Sequence, residues 1–271
     1  MNEKTSPTLS GVPETSLAVL YWRAMESQRP DAMMKDEKAE ALVTQMSYDF
    51  DRVRKIPMTE TLKVTRIILT RKMDHYARDF LSRHPEAVVV HIGCGLDSRF
   101  ERVDNSQVEW YDLDLPEIIE LRRKFIGDER ERYHLLGCSV LEDAWLEAVK
   151  VHSQRPFLFL AEGVFMYFEG AQVKSLVLTL RDHFPGAELV FDAWRPFEIW
   201  LGNFVLGGLL RWGFWRGQEL EGWGDGIRLL DEWGYFDRPE PRLHSFRWMA
   251  PIFRLLKPFR VFHFQLGKAA R

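Results

Sequence analysis

The sequence lacks several features that would assign a function directly. Its 271 residues contain only two cysteines, which makes no disulfide framework, so we expect a reducing, cytoplasmic setting. The formal net charge is −3, and basic and acidic residues are interspersed, which argues against a nucleic-acid partner. No run reaches the roughly 18 apolar residues of a membrane span. The eight histidines show no metal-ligand spacing, so we predict no metal site.

Length and composition favour one large α/β domain. With 46% hydrophobic residues the chain can bury a full core. Residues 1–15, rich in Ser, Thr and Pro, predict a flexible leader, and residues 16–271 a single domain. Within that domain, residues 16–60 predict a helical cover. Residues 194–228, rich in Trp, Phe and Gly, predict a late insertion or lid; a membrane contact is the alternative, which the lack of a cationic amphipathic face disfavours.

Strands and helices alternate through the middle of the chain. The apolar, β-branched runs predict buried strands at 87–92, 108–112, 133–138, 157–161 and 187–192, with a last strand at 260–267. The intervening patterns predict helices at 59–83, 98–103, 116–127, 142–150 and 170–183, and a short one at 229–235. Such alternation indicates parallel βαβ units with right-handed crossovers.

The most informative segment is a glycine turn that follows the first of these strands. Gly93 and Gly95 allow the backbone to turn tightly and to approach a ligand closely. The next strand ends in Asp112 and Asp114, where a carboxylate can bind the hydroxyl pair of a ribose. The segment therefore predicts a nucleoside-binding crevice at the carboxyl ends of the strands.

The turn does not complete the dinucleotide fingerprint. Ser98 stands where that motif has its third glycine. Asp97 in the same turn would repel a pyrophosphate and suits a cationic amino-acid moiety better. This favours S-adenosylmethionine, which carries a sulfonium and an ammonium and no phosphate. A nicotinamide-dependent oxidoreductase remains the alternative on the same sheet, although no Tyr-x-x-x-Lys motif lies on a suitable helix.

At this point the motifs resemble those of the leucine carboxyl methyltransferase family, in particular its bacterial branch of tetracenomycin-type polyketide O-methyltransferases. The likeness rests on residues 88–100, 110–117 and 161–168, and it extends from about residue 16 to residue 267. It implies a class I methyltransferase fold, Rossmann-like, with a seven-stranded, mostly parallel sheet, an antiparallel last strand and helices on both faces. It also implies S-adenosylmethionine as the cofactor.

The resemblance assigns cofactor roles to residues at the strand ends. The predicted cofactor-binding residues are Arg71, Gly93, Gly95, Asp112, Leu113, Asp114, Ser139, Val140 and Glu162. Asp114 would hold the ribose and Glu162 would lie near the sulfonium. The chain departs from the family pattern at two places. Ser139 replaces the acid expected at the adenine, and Leu69 stands where the family has an arginine, which leaves Arg71 or Arg66 as its replacement.

The predicted reaction is transfer of a methyl group to oxygen. A carboxylate is ionised at neutral pH and needs no general base, whereas a phenol would need one. Because no histidine pair is evident, and because of the resemblance, we predict methylation of a carboxylate on a small molecule or peptide, as in polyketide or other secondary metabolism. Tyr167 and Arg195 are candidate acceptor-site residues, with Arg242 and Arg247 as further cations. A non-catalytic protein that binds an adenosyl cofactor is a second alternative.

Overall fold

The computed structural model describes residues 14–54, 59–235, 237, 240, 242–243 and 259–268. Most of the predicted flexible leader, residues 1–13, lies outside the described residues, as does the candidate Arg247. The last two residues of that predicted leader, Glu14 and Thr15, belong instead to the first helix.

The observed strands follow the sequence pattern closely. They are β1 Val88–Ile92, β2 Glu109–Asp114, β3 Tyr133–Gly137, β4 Phe157–Ala161, β5 Ala187–Ala193, β6 Arg228–Gly234 and β7 Arg260–Leu266. The helices are α1 Glu14–Ser27, α2 Glu37–Gln45, α3 Asp51–Arg54, α4 Glu60–Arg83, α5 Arg99–Val103, α6 Pro116–Phe125, α7 Ala144–Lys150, α8 Gly170–His183, α9 Pro196–Leu206 and α10 Gln218–Glu221, and a 3-10 turn spans Phe165–Tyr167.

The strands form one seven-stranded sheet in the order β3-β2-β1-β4-β5-β7-β6. The strands β1 to β5 are parallel, and β7 runs antiparallel to both of its neighbours, β5 and β6. The strand order reverses between β1 and β4. In open α/β sheets, ligands bind at the carboxyl ends of the strands that flank such a reversal. The predicted class I methyltransferase architecture is therefore confirmed.

One predicted element is wrong. The helix expected at 229–235 is the edge strand β6, which pairs with β7. The register between the two strands shifts between Leu229 and Asp231, so an irregularity interrupts the alternation of apolar residues that would have indicated a strand. Pairing with β7 overrides the helical spacing of Leu229, Leu230 and Trp233.

Apolar layers lie on both faces of the sheet. On one face, α8 packs over residues such as Phe159, Phe191 and Phe262. On the other, α4 covers residues such as Val89, Leu160 and Val190. The segment of α1, α2 and α3 forms the helical cover, and Leu17 and Leu20 of α1 pack against Leu96 and Ile118 beside the glycine turn. The cover therefore lies over the carboxyl end of β1.

The aromatic-rich segment after β5 divides between interior and surface. Trp194 and Ile199 are buried together with Met166. On the outer side of α9, by contrast, Trp200 and Phe204 are exposed. Among the described residues, no helix has both the length and the apolar character needed to cross a bilayer.

Candidate functional site

The glycine turn after β1 has the conformation that its sequence requires. Gly93 and Gly95 have φ angles of +63° and +50°, a region that other residues seldom adopt. A Cβ atom on Gly93 would lie 2.4 Å from Cγ2 of Val164 in the loop after β4. The N–H groups of Gly93 and Cys94 donate to the carbonyl of Leu113 at 2.8 and 3.3 Å. The turn thereby joins the ends of β1, β2 and β4.

Asp114 lies at the tip of β2, next to this turn. Its Oδ2 accepts a hydrogen bond from the N–H of Gly95 at 2.7 Å, and its Oδ1 accepts one from the N–H of Leu115 at 2.8 Å. Burial raises the pKa of Asp114, and these two hydrogen bonds oppose the rise. Each carboxylate oxygen retains a second lone pair. The arrangement fixes the carboxylate and leaves acceptor capacity for the hydroxyl pair of a ligand.

Glu162 follows β4 and is also held on both oxygens. Thr70 of α4 donates to Oε1 at 2.8 Å, and the guanidinium of Arg99 binds Oε2. Arg99 is completely buried and also pairs with Asp74 at 2.8 Å and Asp97 at 3.0 Å. Glu162 is thus a positioned, half-buried carboxylate at the strand reversal, and the packing of α4 and α5 determines its orientation.

Asp192 in β5 is a further candidate site residue, which the sequence reasoning missed. It is 1% exposed, its Oδ1 accepts from the N–H of Gly163 at 2.5 Å, and its Oδ2 has no hydrogen-bond partner among the described residues. Burial raises its pKa to about 6, against the opposing charge of Arg66. A carboxylate near the carboxyl end of a mostly apolar strand was the available signal. The raised pKa and the unpartnered oxygen mark Asp192 as a functional candidate.

Comparison with known proteins identifies the family. The model of the leucine carboxyl methyltransferase family matches residues 16–181. The chain is 35% identical over 237 residues to the tetracenomycin polyketide synthesis O-methyltransferase of Streptomyces glaucescens, a match that covers 85% of this chain and 86% of that protein. The chain belongs to the leucine carboxyl methyltransferase family. It is an S-adenosylmethionine-dependent O-methyltransferase.

Two further comparisons agree with this assignment. An S-adenosyl-L-methionine-dependent methyltransferase of Gibberella zeae is 29% identical over 270 residues, covering 92% of this chain and 90% of that protein. A crystal structure of a candidate methyltransferase from Thermobifida fusca superimposes with a TM-score of 0.57 and 16% identity, covering 91% of this chain and 94% of that one. The second likeness concerns the fold alone. The family assignment displaces the nicotinamide-dependent oxidoreductase alternative.

Asp112 is buried inside the fold of this methyltransferase, whereas the prediction placed it against the cofactor. Its side chain is 0% exposed, and its oxygens bind His91, Tyr133, the indole N–H of Trp110 and the guanidinium of Arg122. Burial would raise its pKa, but Arg122 and His91 hold the pKa at about 2. The prediction that Asp112 faces the cofactor is therefore wrong, because no acceptor capacity is open to a ligand.

Arg122 explains why Asp112 is there. This arginine of α6 is fully buried and donates to the carbonyls of Gly95 and Asp97, both at 2.8 Å. It therefore supports the glycine turn from behind, and Asp112 supplies its counter-charge. The side chain of Leu113 is likewise fully buried, and its carbonyl accepts the hydrogen bonds of the turn; its contact with the cofactor stays a prediction.

The surroundings of Asp97 differ from those that its position in the glycine turn predicted. Its carboxylate was expected to attract a cationic ligand, but Arg102 at 2.8 Å, Arg99 at 3.0 Å and Arg23 at 3.4 Å already surround it. Burial alone would raise the pKa of Asp97, and these arginines hold it well below its usual value. The charge of Asp97 thus serves the interior of the fold. The conclusion that the cofactor is S-adenosylmethionine rests on the family instead.

Ser139 and Val140 follow β3, whose last residue pairs with Asp114. The hydroxyl of Ser139 accepts from the N–H of Leu141 at 3.2 Å, and the carbonyl of Val140 accepts from the indole of Trp145 at 3.1 Å. Ser139 is half-buried and Val140 is buried. The structure brings both close to the tip of β2, and their contact with an adenine ring stays a prediction.

The two candidate arginines of α4, Arg66 and Arg71, lie in different surroundings. Arg71 is exposed and pairs with Glu240 at 3.5 Å, and its cofactor role stays a prediction. Arg66 is half-buried, lies over the Trp194 ring with its Cζ 5.5 Å from the ring centroid, and is close enough to Asp192 to lower that pKa. It precedes Leu69 by about one helical turn, which places it on nearly the same face.

The candidate acceptor-site residues lie in three different places in the structure. Tyr167 is 39% exposed at the end of the 3-10 turn, within electrostatic range of Arg66 and Asp192. Arg195 lines a cavity of about 360 Å³ near the end of β5. Arg242 lines another cavity, of about 230 Å³ beneath the helical cover, where it pairs with Glu26 at 2.6 Å. Tyr167 lies close to Arg66 and Asp192, whereas Arg195 and Arg242 line the two cavities.

Proposed function

We propose that this chain methylates a carboxylate oxygen of a small molecule or peptide. The observation that supports the proposal is the state of the histidine nearest the strand reversal. His91 contacts Asp112 through one ring nitrogen, at 3.2 Å, and Arg99 through the other, at 3.0 Å. No ring nitrogen of His91 is left to remove a proton from an acceptor. An acceptor that is already ionised needs no such base.

The residues of the crevice fit the cofactor that the family uses. Asp114 would bind the ribose hydroxyls, the backbone of Gly93 and Gly95 would lie against the methionine part, and Ser139 and Val140 would border the adenine. Arg66 would hold the carboxylate of the cofactor in place of the arginine that Leu69 replaces. When bound, S-adenosylmethionine supplies a methyl group that is already activated on a sulfonium sulfur.

The chain's own residues then mainly orient and desolvate the reactants. Glu162, fixed by Thr70 and Arg99, would position the sulfonium end of the crevice. Tyr167 and Arg195 are the residues proposed to contact the acceptor. Alignment of the acceptor oxygen, the methyl carbon and the sulfur is the larger part of the catalysis required, because proximity and orientation can supply most of the rate.

Asp192 supports a second candidate function, methylation of a hydroxyl group. A buried carboxylate with one unpartnered oxygen and a pKa of about 6 has the properties of a general base at neutral pH. In that case Asp192 would accept the hydroxyl proton as the carbon–oxygen bond forms and the carbon–sulfur bond breaks. The two candidates differ in the product, a methyl ester or a methyl ether.

One experiment separates them. The purified chain is incubated with methyl-labelled S-adenosylmethionine and a panel of aromatic and aliphatic acids and phenols, and the product is treated with mild base. An ester releases labelled methanol, and its rate of formation should change little between about pH 6.5 and 9. An ether keeps its label, and Asp192→Asn should then lower the rate by roughly 10²–10⁴-fold. A base-stable product would contradict the carboxylate proposal.

A further inference from the structure

The cavity next to the end of β5 is lined by an excess of positive charge. Its lining residues are Arg195, Trp215, Arg216, Glu232 and Arg260. Arg260 begins β7 and Glu232 lies in β6, on the face of the sheet that carries Phe262. The cavity thus lies over the β5-β7-β6 part of the carboxyl edge, on the opposite face from Asp192 and α4. We propose that it is an anion-binding site for a carboxylate or phosphate group.

Arg260 provides the fixed part of this site. It is 1% exposed, and its terminal nitrogens donate to the carbonyls of Phe214 and Trp215, both at 2.9 Å, and to Glu232 at 3.2 Å. Its Nε has no partner among the described residues. Burial lowers the pKa of Arg260, and although Glu232 opposes this, the neighbouring charge of Arg195 adds to it. A buried guanidinium whose charge is incompletely balanced is stabilised by a bound anion.

Arg195 and Arg216 provide the rest of the positive charge. In the described part of the chain, neither side chain forms an ion pair with a carboxylate, and the Nε of Arg195 is buried without a hydrogen-bond partner. Two further acids lie beside the lining: Glu198 accepts from the N–H groups of Arg195 at 2.7 Å and Phe259 at 3.3 Å. Glu219 accepts from the N–H groups of Trp215 at 3.1 Å and Arg216 at 2.9 Å. Among the residues that line the cavity, three guanidinium groups face one carboxylate, Glu232, and this excess of positive charge favours an anionic ligand.

The lining also indicates what kind of anion fits. Trp215 is 53% exposed at the cavity and offers an apolar surface beside the cations. A ligand that combines an acidic group with an apolar body can use both. Because Arg195 is also an acceptor-site candidate, this inference deepens the proposed function: the cavity would hold an acidic group of the acceptor. That link rests on the proposed function, whereas binding of an anion as such does not.

The test is calorimetric titration of the full-length protein at low salt with inorganic phosphate, succinate and benzoate. We expect saturable binding that weakens as salt is added. Arg216→Gln, at an exposed position, should weaken binding by roughly tenfold, and the Arg195→Gln, Arg216→Gln double variant should abolish it. Arg211→Gln is the matched control, because Arg211 is exposed in the same segment and pairs with Glu169 outside the cavity. Its affinity should equal that of the unmodified chain.

The preferred probe identifies the source of the anion. Tighter binding of benzoate or succinate supports an organic acid such as the acceptor, and tighter binding of phosphate supports a free phosphate site. Absence of saturable binding for all three probes, or affinities unchanged in Arg216→Gln and the double variant, would overturn the inference. Titration with S-adenosylhomocysteine on the same samples keeps the proposals distinguishable: cofactor binding without anion binding refutes the cavity alone, and anion binding without methyl transfer refutes the proposed function alone.

Discussion

Buried charges are paired differently at the two ends of the sheet's carboxyl edge, the first beneath the glycine turn and the second around β5. Beneath the glycine turn, the carboxylates of Asp74, Asp97 and Asp112 are each bound by one or more buried arginines. Around β5, an oxygen of Asp192 has no hydrogen-bond partner among the described residues; the Nε atoms of Arg195 and Arg260 have none either, as is also true of Arg122 beneath the turn. The carboxylates at the first end are thus paired with arginines that shape the backbone, whereas Asp192 at the second end keeps an unpaired oxygen and is a candidate for contact with a ligand.

The largest effect should come from breaking a pair at the first end. Arg122→Met leaves Asp112 buried without its cation and removes the donor to the carbonyls of the glycine turn. We expect the free energy of unfolding in urea to fall by about 3–5 kcal/mol. Arg123→Met, at the exposed neighbouring position, is the control and should change stability by less than about 0.5 kcal/mol. A loss below about 1 kcal/mol for Arg122→Met would mean that this network is not structural.

Removing the buried charge of Asp192, around β5, should raise the free energy of unfolding, in contrast to the loss expected for Arg122→Met. The pKa of Asp192 is about 6 in the folded chain, above its ordinary 3.8, so the ionised carboxylate costs stability above pH 6 and this cost disappears as the pH falls towards 4. Asp192→Asn should therefore raise the free energy of unfolding by roughly 3 kcal/mol at pH 8 and leave it unchanged below about pH 4. The exposed Asp143→Asn variant controls for surface charge. Equal effects at both pH values would refute this reasoning.

The smallest expected effect concerns Asp114, at the tip of β2 beside the glycine turn, and its contribution to cofactor binding. If Asp114 binds the ribose through a charged hydrogen bond, Asp114→Ala should weaken binding of S-adenosylhomocysteine by about 1–3 kcal/mol. Glu117→Gln, at an exposed position of α6, should bind normally. Isothermal titration measures both. Unchanged affinity in Asp114→Ala would place this carboxylate with the structural acids and remove it from the cofactor site.

Much of the fold could be predicted because its strands are short, apolar and separated by glycine or acidic residues. The residues of β4 are all apolar, and no helical spacing competes with that pattern. The opposite holds for β6, where charged and apolar residues mix and the register shift hides the alternation. Such an edge strand is specified by its partner β7, more than two dozen residues later, and local patterns carry little of that information.

The site residues could be predicted where the backbone conformation requires one residue type. They were harder to predict where the role of a residue depends on the direction of its side chain. The positive φ angles of Gly93 and Gly95 require glycine, so the turn was visible in the sequence. Asp112 and Asp114 are two residues apart on one strand and looked equivalent. Only the packing of Arg122 shows that one of them is enclosed by the fold while the other lies at the strand tip. Likewise, the choice between Arg66 and Arg71 depended on which face of α4 meets the sheet.

The contacts of Arg23 have a consequence for how ligands exchange. This residue of α1 binds Asp36 at 3.1 Å, Asp97 at 3.4 Å and the carbonyl of Leu96 at 2.8 Å, all with little access to water. Swinging the helical cover away from the glycine turn would separate these charges in a poorly hydrated interior. The helical cover is therefore better described as a fixed part of the fold than as a lid that opens. We expect the amide protons of α1 to exchange with solvent as slowly as those of the sheet it adjoins.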